Sequence, residues 1–441
     1  MIDVLLINPA YFDPAQEKKR RKDYKKWIRG GNMYVLPFEP PLGLAHVYSH
    51  LVKKNLDARL LDMQGLRMDM AALERAVKTL RPRIAGITAL TPTLRRSFEI
   101  AEAIKRTNPA TVVVMGGVHP TVDPVSCFRN QAVDMVFRGE AESGFEEAAR
   151  GSLDVPGLCF RRGSNITIRE KAPPVRDLDA AGLPDYRSFP AADYVKHNRD
   201  LRGIKGISML VTRGCPYECS FCSVSATMGR KYRQVSPGIV VKEMAKLKRD
   251  YGVGGIWFKD SIFNLDRKWV KEFCGELRDS RLGLKWQINT RVDLVEEDEI
   301  AMMKEAGLVQ VDLGIESGSE RSLKILKKGI SLEKTRRAVN IAKRHVKVAG
   351  FFIIGVPGEG ERDIRKTISF AESLDLDSVS ISLYAPLPGS LLYEEIHGGT
   401  LMDYEAEGIH FTEAKKSYCR VGDRRLKKIY TEFCDERYGK N

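Results

Sequence analysis

Apolar residues in the first third of the chain fall in short runs at residues 2–7, 57–62, 83–88, 111–116 and 133–138. Between them lie helix-length stretches in which apolar positions recur every three or four residues, at about 42–54, 69–80, 92–106, 120–130 and 143–150. Five strands in strict alternation with helices predict an α/β domain built on a parallel, doubly wound, Rossmann-like sheet over residues 1–150. Such sheets bind ligands beyond the carboxyl ends of their strands. Those ends carry Asn8-Pro9, Asp62-Met63-Gln64-Gly65, Thr88-Ala89-Leu90-Thr91, Gly116-Gly117-Val118-His119 and Arg138-Gly139-Glu140. Glycines there either let backbone approach a large planar or phosphorylated ligand, or simply make turns.

Prolines and glycines then interrupt the pattern over residues 151–205, predicting a short hairpin near 158–170 followed by an extended linker strap. A second alternation starts at Ile207, with strands near 207–212, 255–260, 285–291, 309–315, 348–354 and 377–384. The helices between them fall at about 236–250, 266–279, 296–306, 319–345 (broken at Gly329) and 360–374. Six βα repeats predict a (β/α)6 partial TIM barrel over residues 206–395, with its active site at the carboxyl ends of the strands. Residues 396–441 are expected to form a helical extension that closes the barrel mouth, with Tyr384 and Tyr393 either meeting substrate or packing.

Composition adds limits. The 441 residues are 43% hydrophobic and 29% charged, as in ordinary globular proteins. No apolar run reaches the roughly 18–20 residues that span a bilayer, and the start lacks the features of a signal peptide, so a cytoplasmic location is expected. The net charge of +14 is concentrated in residues 18–29 and in the tail after Thr412. Both are read first as solvated segments; the former, a loop at a ligand-facing strand end, is also a candidate cover for bound ligand or recruiter of an anionic substrate. Nucleic acid is not an expected partner.

Of eight cysteines, three are clustered, in Cys215-Pro216-Tyr217-Glu218-Cys219-Ser220-Phe221-Cys222, directly after the first barrel strand. Three thiolates on one loop suit a cubane iron–sulfur cluster with one iron left open. Structural zinc takes four ligands, and neither a second Cys-x-x-Cys nor a His pair follows. The Cys-x3-Cys-x2-Cys spacing, with an aromatic before the last cysteine, resembles the radical S-adenosylmethionine superfamily.

That resemblance implies a 4Fe-4S cluster on Cys215, Cys219 and Cys222, its open iron chelated by S-adenosylmethionine, which on reduction yields a 5′-deoxyadenosyl radical. It implies Phe221 beside the adenine, and Glu316 and Ser317, in Gly314-Ile315-Glu316-Ser317-Gly318, against the ribose or amino-acid portion. Asp260 and Asn264 are expected at the methionine moiety or as a helix cap. Arg291 and Asp293 are expected to pair with each other or with the cofactor carboxylate. Gly355, opening Gly355-Val356-Pro357-Gly358-Glu359, is expected to offer backbone to adenine.

With Pro40-Pro41-Leu42-Gly43-Leu44-Ala45 and the glycine-bearing strand ends, the upstream domain resembles that of the cobalamin-binding members, notably the class B methyltransferases. The resemblance implies cobalamin contacts from Pro41, Gly43, Thr88, Gly116, Gly117, His119, Gly139 and Glu140. No Asp-x-His-x-x-Gly pattern is present, so a histidine-ligated lower cobalt face is not expected; His119 is read as a contact to the corrin periphery or as a loop-stabilising residue. The implied activity is methylation of an unactivated carbon in a small molecule, lipid or natural product, with an external electron donor of flavodoxin or ferredoxin type. Oxidative ring formation is the alternative, and a non-catalytic cobalamin or metal sensor a distant one. A methylthiotransferase acting on tRNA is disfavoured, because no cysteine precedes Cys127.

Overall fold

The computed structural model describes residues 1–11, 39–202, 204–398 and 416–438, and the chain divides into two compact units. The basic stretch 18–29 lies outside the described residues. In the first unit, β1 (Val4–Asn8), β2 (Ala58–Asp62), β3 (Ile84–Thr88), β4 (Val112–Gly116) and β5 (Met135–Phe137) are parallel neighbours in the order β2-β1-β3-β4-β5. This order reverses between β1 and β3, and the crevice beyond that reversal is where a doubly wound sheet receives its ligand. Apolar runs at β1, β3 and β4 are buried on both faces, as parallel strands covered by helices must be. Val4, Leu6, Ile84, Val114 and Phe137 pack with Phe145 of the helix Glu142–Ala149, the two rings meeting edge-on at 6.4 Å.

Three elements depart from expectation here. The hairpin β6 (Leu158–Arg162) and β7 (Asn165–Thr167) is not separate from the sheet: β6 pairs antiparallel with β5 and extends the sheet to seven strands. The stretch after Pro190, expected extended, forms the helix Ala191–Arg202, because the last proline stands before its first turn rather than inside it. The helix expected at 120–130 is split into Val118–Val122 and Pro124–Cys127 at Asp123, whose side chain caps the second piece through Ser126 N–H.

In the second unit, β8 (Gly206–Met209), β9 (Gly255–Phe258), β10 (Lys285–Arg291), β11 (Leu308–Glu316), β12 (Lys347–Ile354) and β13 (Ser378–Leu383) pair in sequence order, all parallel. Helices at Pro237–Tyr251, Arg267–Asp279, Glu297–Glu305, Leu332–Lys343 and Glu361–Ser373 return the chain between them, giving a curled half-barrel. Its outer layer is aromatic: Phe258, Phe263 and Trp286 pack against Trp269 and Phe273 of the helix Arg267–Asp279. Asp266, not Asp260 or Asn264, caps that helix, accepting from Lys268 and Trp269 N–H. Every strand's carboxyl end faces the same side, which gathers the loops that follow them. No helix among the described residues is long and apolar enough to cross a membrane.

Candidate functional site

The second unit holds a cleft of about 380 Å³ at the carboxyl ends of its strands. Cys215, Cys219, Cys222, Phe221, Arg291, Glu316, Lys328 and Tyr384 all line it. The cysteine loop is held from within: Ser220 is buried, its N–H and hydroxyl donate to the carbonyls of Leu326 (3.0 Å) and Ile325 (2.7 Å), and its own carbonyl accepts from Leu392 N–H. Asp260 fixes the approach to the loop. It is fully buried, and Oδ1 accepts from the N–H groups of Val211 (3.0 Å) and Thr212, so it positions the strand's exit.

All eight cysteines are free thiols, and Cys127, Cys159 and Cys274 are buried apart from the cleft. Burial pushes the Cys222 thiol up to about 11 and raises Cys215, while Lys328 pulls both back and Arg291 adds to that at Cys215. Among the described residues no three His, Cys, Asp or Glu side chains are grouped to hold a single metal ion. The three thiols line one cleft. A multi-iron cluster, whose protein-bound irons stand apart, fits that donor set, and two cations beside the thiolates suit its negative charge.

Glu316 owes its place to an irregular strand. The β11–β12 register shifts between Gly314 and Glu316, and Glu316 has φ +68°, a left-handed conformation that a side chain adopts only when its surroundings enforce it. The shift turns its carboxylate into the cleft, where Lys328 Nζ donates to Oε1 at 2.8 Å. Both residues are only 6% exposed. Lys328 was not foreseen: it sits in the turn after the helix Glu320–Ile325, between Lys327 (φ +48°) and Gly329 (φ +71°), where no periodicity marks it.

Phe221 faces the cleft and packs with Leu326, Ile353, Val356 and Tyr384. Arg291, expected to pair with Asp293 or with a cofactor carboxylate, pairs with Asp293, and its guanidinium is committed within the protein. Nε and Nη2 donate to Asp293 (2.8 and 3.1 Å), Nη2 also to the Lys328 carbonyl (2.7 Å), and Nη1 to Cys219 Sγ (3.5 Å). Ser317 is fully buried, bonded to Thr367 Oγ1 at 2.8 Å, and stands outside the cleft lining. Asn264 is tied to Leu294, Glu299 and Thr290. Gly355, with φ +82°, donates its N–H to Glu359 and, like Ser317, is not among the residues that line the cleft. Tyr384 lines the cleft, whereas Tyr393 packs against His397.

In the first unit, Thr88, Gly116 and Gly117 meet at the adjacent carboxyl ends of β3 and β4. Gly117, exposed, has φ +104°, and a Cβ there would stand 2.6 Å from Thr88 Oγ1. Gly43 is exposed, with open space where a Cβ would lie, in the first turn of the helix Leu42–Lys53 that buried Pro41 begins. Gly117 and Gly43 are exposed, while Thr88 and Gly116 are half-buried.

Three other expected corrin contacts are otherwise engaged. His119 is 0% exposed; its Nδ1 and Nε2 are bonded to Thr91 Oγ1 (3.1 Å) and Ser126 Oγ (2.8 Å), and burial lowers the imidazole to about 4, so it stabilises the loop. Gly139 has φ +94° and makes room for Lys171 and Ala172. The Glu140 carboxylate is held by Arg233 (2.6 and 2.9 Å) and by Val175 N–H.

Asp62, at the end of β2, accepts from the Asn8 amide (2.8 Å), Gly65 N–H (3.1 Å) and the Tyr194 hydroxyl (2.8 Å). Gln64 is also buried, its Oε1 accepting from Tyr11 N–H at 2.8 Å. The loop after β2 thus presents no imidazole, as the sequence implied.

The description of the B12 binding domain matches residues 33–149, and that of the Radical SAM superfamily matches residues 209–371. An uncharacterized methyltransferase of Pyrococcus horikoshii is 31% identical over 363 residues, which cover 80% of this chain and 78% of that protein. The anaerobic magnesium-protoporphyrin IX monomethyl ester cyclase of Rubrivivax gelatinosus is 29% identical over 373 residues, 81% of this chain and 66% of that one. Among solved structures, the radical S-adenosylmethionine methyltransferase TsrM from Kitasatospora setae, with cobalamin and a 4Fe-4S cluster bound, superposes with a TM-score of 0.73. It is 22% identical and the match covers 90% of this chain and 77% of that one, a likeness of fold. With the two domain matches in tandem and a relative this similar over most of both lengths, the chain belongs to the cobalamin-binding branch of the radical S-adenosylmethionine superfamily.

Proposed function

We propose that this cobalamin-dependent radical S-adenosylmethionine enzyme is a C-methyltransferase acting on an unactivated carbon of a small molecule, with Cys215, Cys219 and Cys222 holding the 4Fe-4S cluster. The convergence of three thiols, Phe221 and the Glu316–Lys328 pair in one cleft carries this reading. When bound, the cluster and S-adenosylmethionine supply a 5′-deoxyadenosyl radical, and cobalamin supplies a methyl carrier.

The chain's own residues bind and orient. Glu316 and Lys328 offer one acceptor and one cation, complementary to the ammonium and carboxylate of an amino-acid moiety. Phe221 offers an aromatic face for adenine. Gly117 and Gly43 offer exposed backbone to the corrin, with Thr88 and Gly116 beside Gly117 at the ends of β3 and β4. Electrons come from an external flavodoxin- or ferredoxin-type donor.

The test is anaerobic reconstitution with hydroxocobalamin, a reductant and methyl-labelled S-adenosylmethionine. The parent protein is expected to form 5′-deoxyadenosine and to carry label to cobalamin and onward to product. Cys215→Ala, Cys219→Ala and Cys222→Ala are each expected to lose 5′-deoxyadenosine formation. Deoxyadenosine without any label on cobalamin or product would sink the methylation reading. It would leave oxidative ring formation, the reading that the similarity to the cyclase supports.

A further inference from the structure

We propose that Arg291 is a positioning residue that sets the reduction potential of the cluster, by holding a fixed cation and one N–H against the sulfur of Cys219. The inference rests on the reading that Cys219 is a cluster ligand. Arg291 ends β10 and is 4% exposed. Its Nη1 points at Cys219 Sγ at 3.5 Å, and every other contact serves to keep it there. Asp293 grips Nε and Nη2 from the side away from the sulfur. The Lys328 carbonyl, in the turn that also anchors Ser220 of the cysteine loop, accepts from Nη2. Tyr217, inside the cysteine loop itself, lies against the guanidinium with its ring centroid 3.6 Å away. A planar fork held on two edges and one face has little freedom to follow a ligand.

An N–H donated to a ligating sulfur, with a positive charge behind it, stabilises the electron that reduction adds, because cluster potentials follow net charge and hydrogen bonds to the sulfurs. The Asp293 carboxylate tempers the charge but leaves the N–H to sulfur in place. Arg291 therefore makes the cluster easier for a low-potential one-electron donor to reduce. A Lys at this position, a point charge without the fork, cannot hold Asp293, the Lys328 carbonyl and the sulfur together.

The experiment compares the full-length parent, Arg291→Gln, Arg291→Lys and the double variant Arg291→Gln/Asp293→Asn, each reconstituted anaerobically without S-adenosylmethionine. Iron and sulfide content report cluster assembly, and a dithionite titration followed by electron paramagnetic resonance reports the midpoint. Arg291→Gln is expected to hold a full cluster while its reduced-to-oxidised ratio at fixed potential falls roughly tenfold, equivalent to about 59 mV for one electron. The double variant is expected to recover part of that shift, and Arg291→Lys to fall between parent and Arg291→Gln. A full cluster in Arg291→Gln with an unchanged midpoint overturns the inference. If Arg291→Gln assembles no cluster, Arg291→Lys decides, and an unchanged midpoint there overturns it equally. A parent that assembles no cluster while still binding cobalamin overturns the reading of the cysteine loop, and this inference with it.

Discussion

Glu359 shows how a single buried charge is used as structure. Its carboxylate closes the turn after β12, with Oε2 accepting from the N–H groups of Gly355 (2.8 Å) and Val356 (3.0 Å). Burial pushes its pKa up to about 7. The folded chain then holds this proton more tightly than the unfolded one. Its contribution to stability is full below the ordinary carboxyl range and is lost as pH rises through about 7. Raising pH from about 5.5 to about 8 should therefore lower the thermal midpoint of the parent more than that of Glu359→Gln. Parallel slopes for the two proteins would refute it. His119 makes a complementary case: with both ring nitrogens satisfied by hydroxyls, His119→Ala should cost about 1–3 kcal/mol in chemical denaturation. Cobalamin affinity of the folded variant should be retained, and a selective loss of it would restore the corrin-contact reading. Glu316 and Phe221 were legible from a motif on one strand end and one loop. Lys328, which completes the pair, was not, because its partnership with Glu316 is made by a turn that carries no pattern.

Among elements, the ends of β3 and β4 are the most constrained. Gly117→Ala would force a non-glycine residue into φ +104° and drive its Cβ into Thr88 Oγ1. A cost of about 1–3 kcal/mol is expected, with reduced cobalamin uptake, measured by denaturation and by corrin absorbance after gel filtration. Wild-type uptake and stability would show that this turn is neither strained nor used. The Asp62 network is a second such element. Removing one hydroxyl with Tyr194→Phe leaves a buried carboxylate with one donor fewer, and a loss of about 1.5–3 kcal/mol is expected. The strands themselves were legible because parallel strands buried on both faces are continuous apolar runs bounded by turn residues. The addition of β6 and β7 was not, since edge pairing depends on backbone groups that every residue carries. Nor was the helix Ala191–Arg202, whose composition is polar and whose preceding prolines imitate a strap.

For the whole molecule, binding to the folded state alone predicts a measurable linkage. Hydroxocobalamin at about 100 times its dissociation constant should stabilise the first unit by about 2.7 kcal/mol. With two compact units, unfolding is expected in more than one step, and the shift should appear in one transition only. Calorimetry with and without the corrin checks this; a uniform shift of all transitions would contradict it. Fold class, the two alternations of parallel strands with helices, and the three-thiol loop were determined by the sequence, because periodicity and close spacing are local properties that survive without a third dimension. How each polar strand-end residue is partnered was decided by tertiary structure alone. Ser317, His119 and Glu140 have the right chemistry, yet each is bonded to a partner that the fold brings to it. Arg291 meets Cys219 across 72 positions of chain. Such pairings follow from strand register and from the need of every buried polar group for a partner, and neither is written in any short stretch of residues.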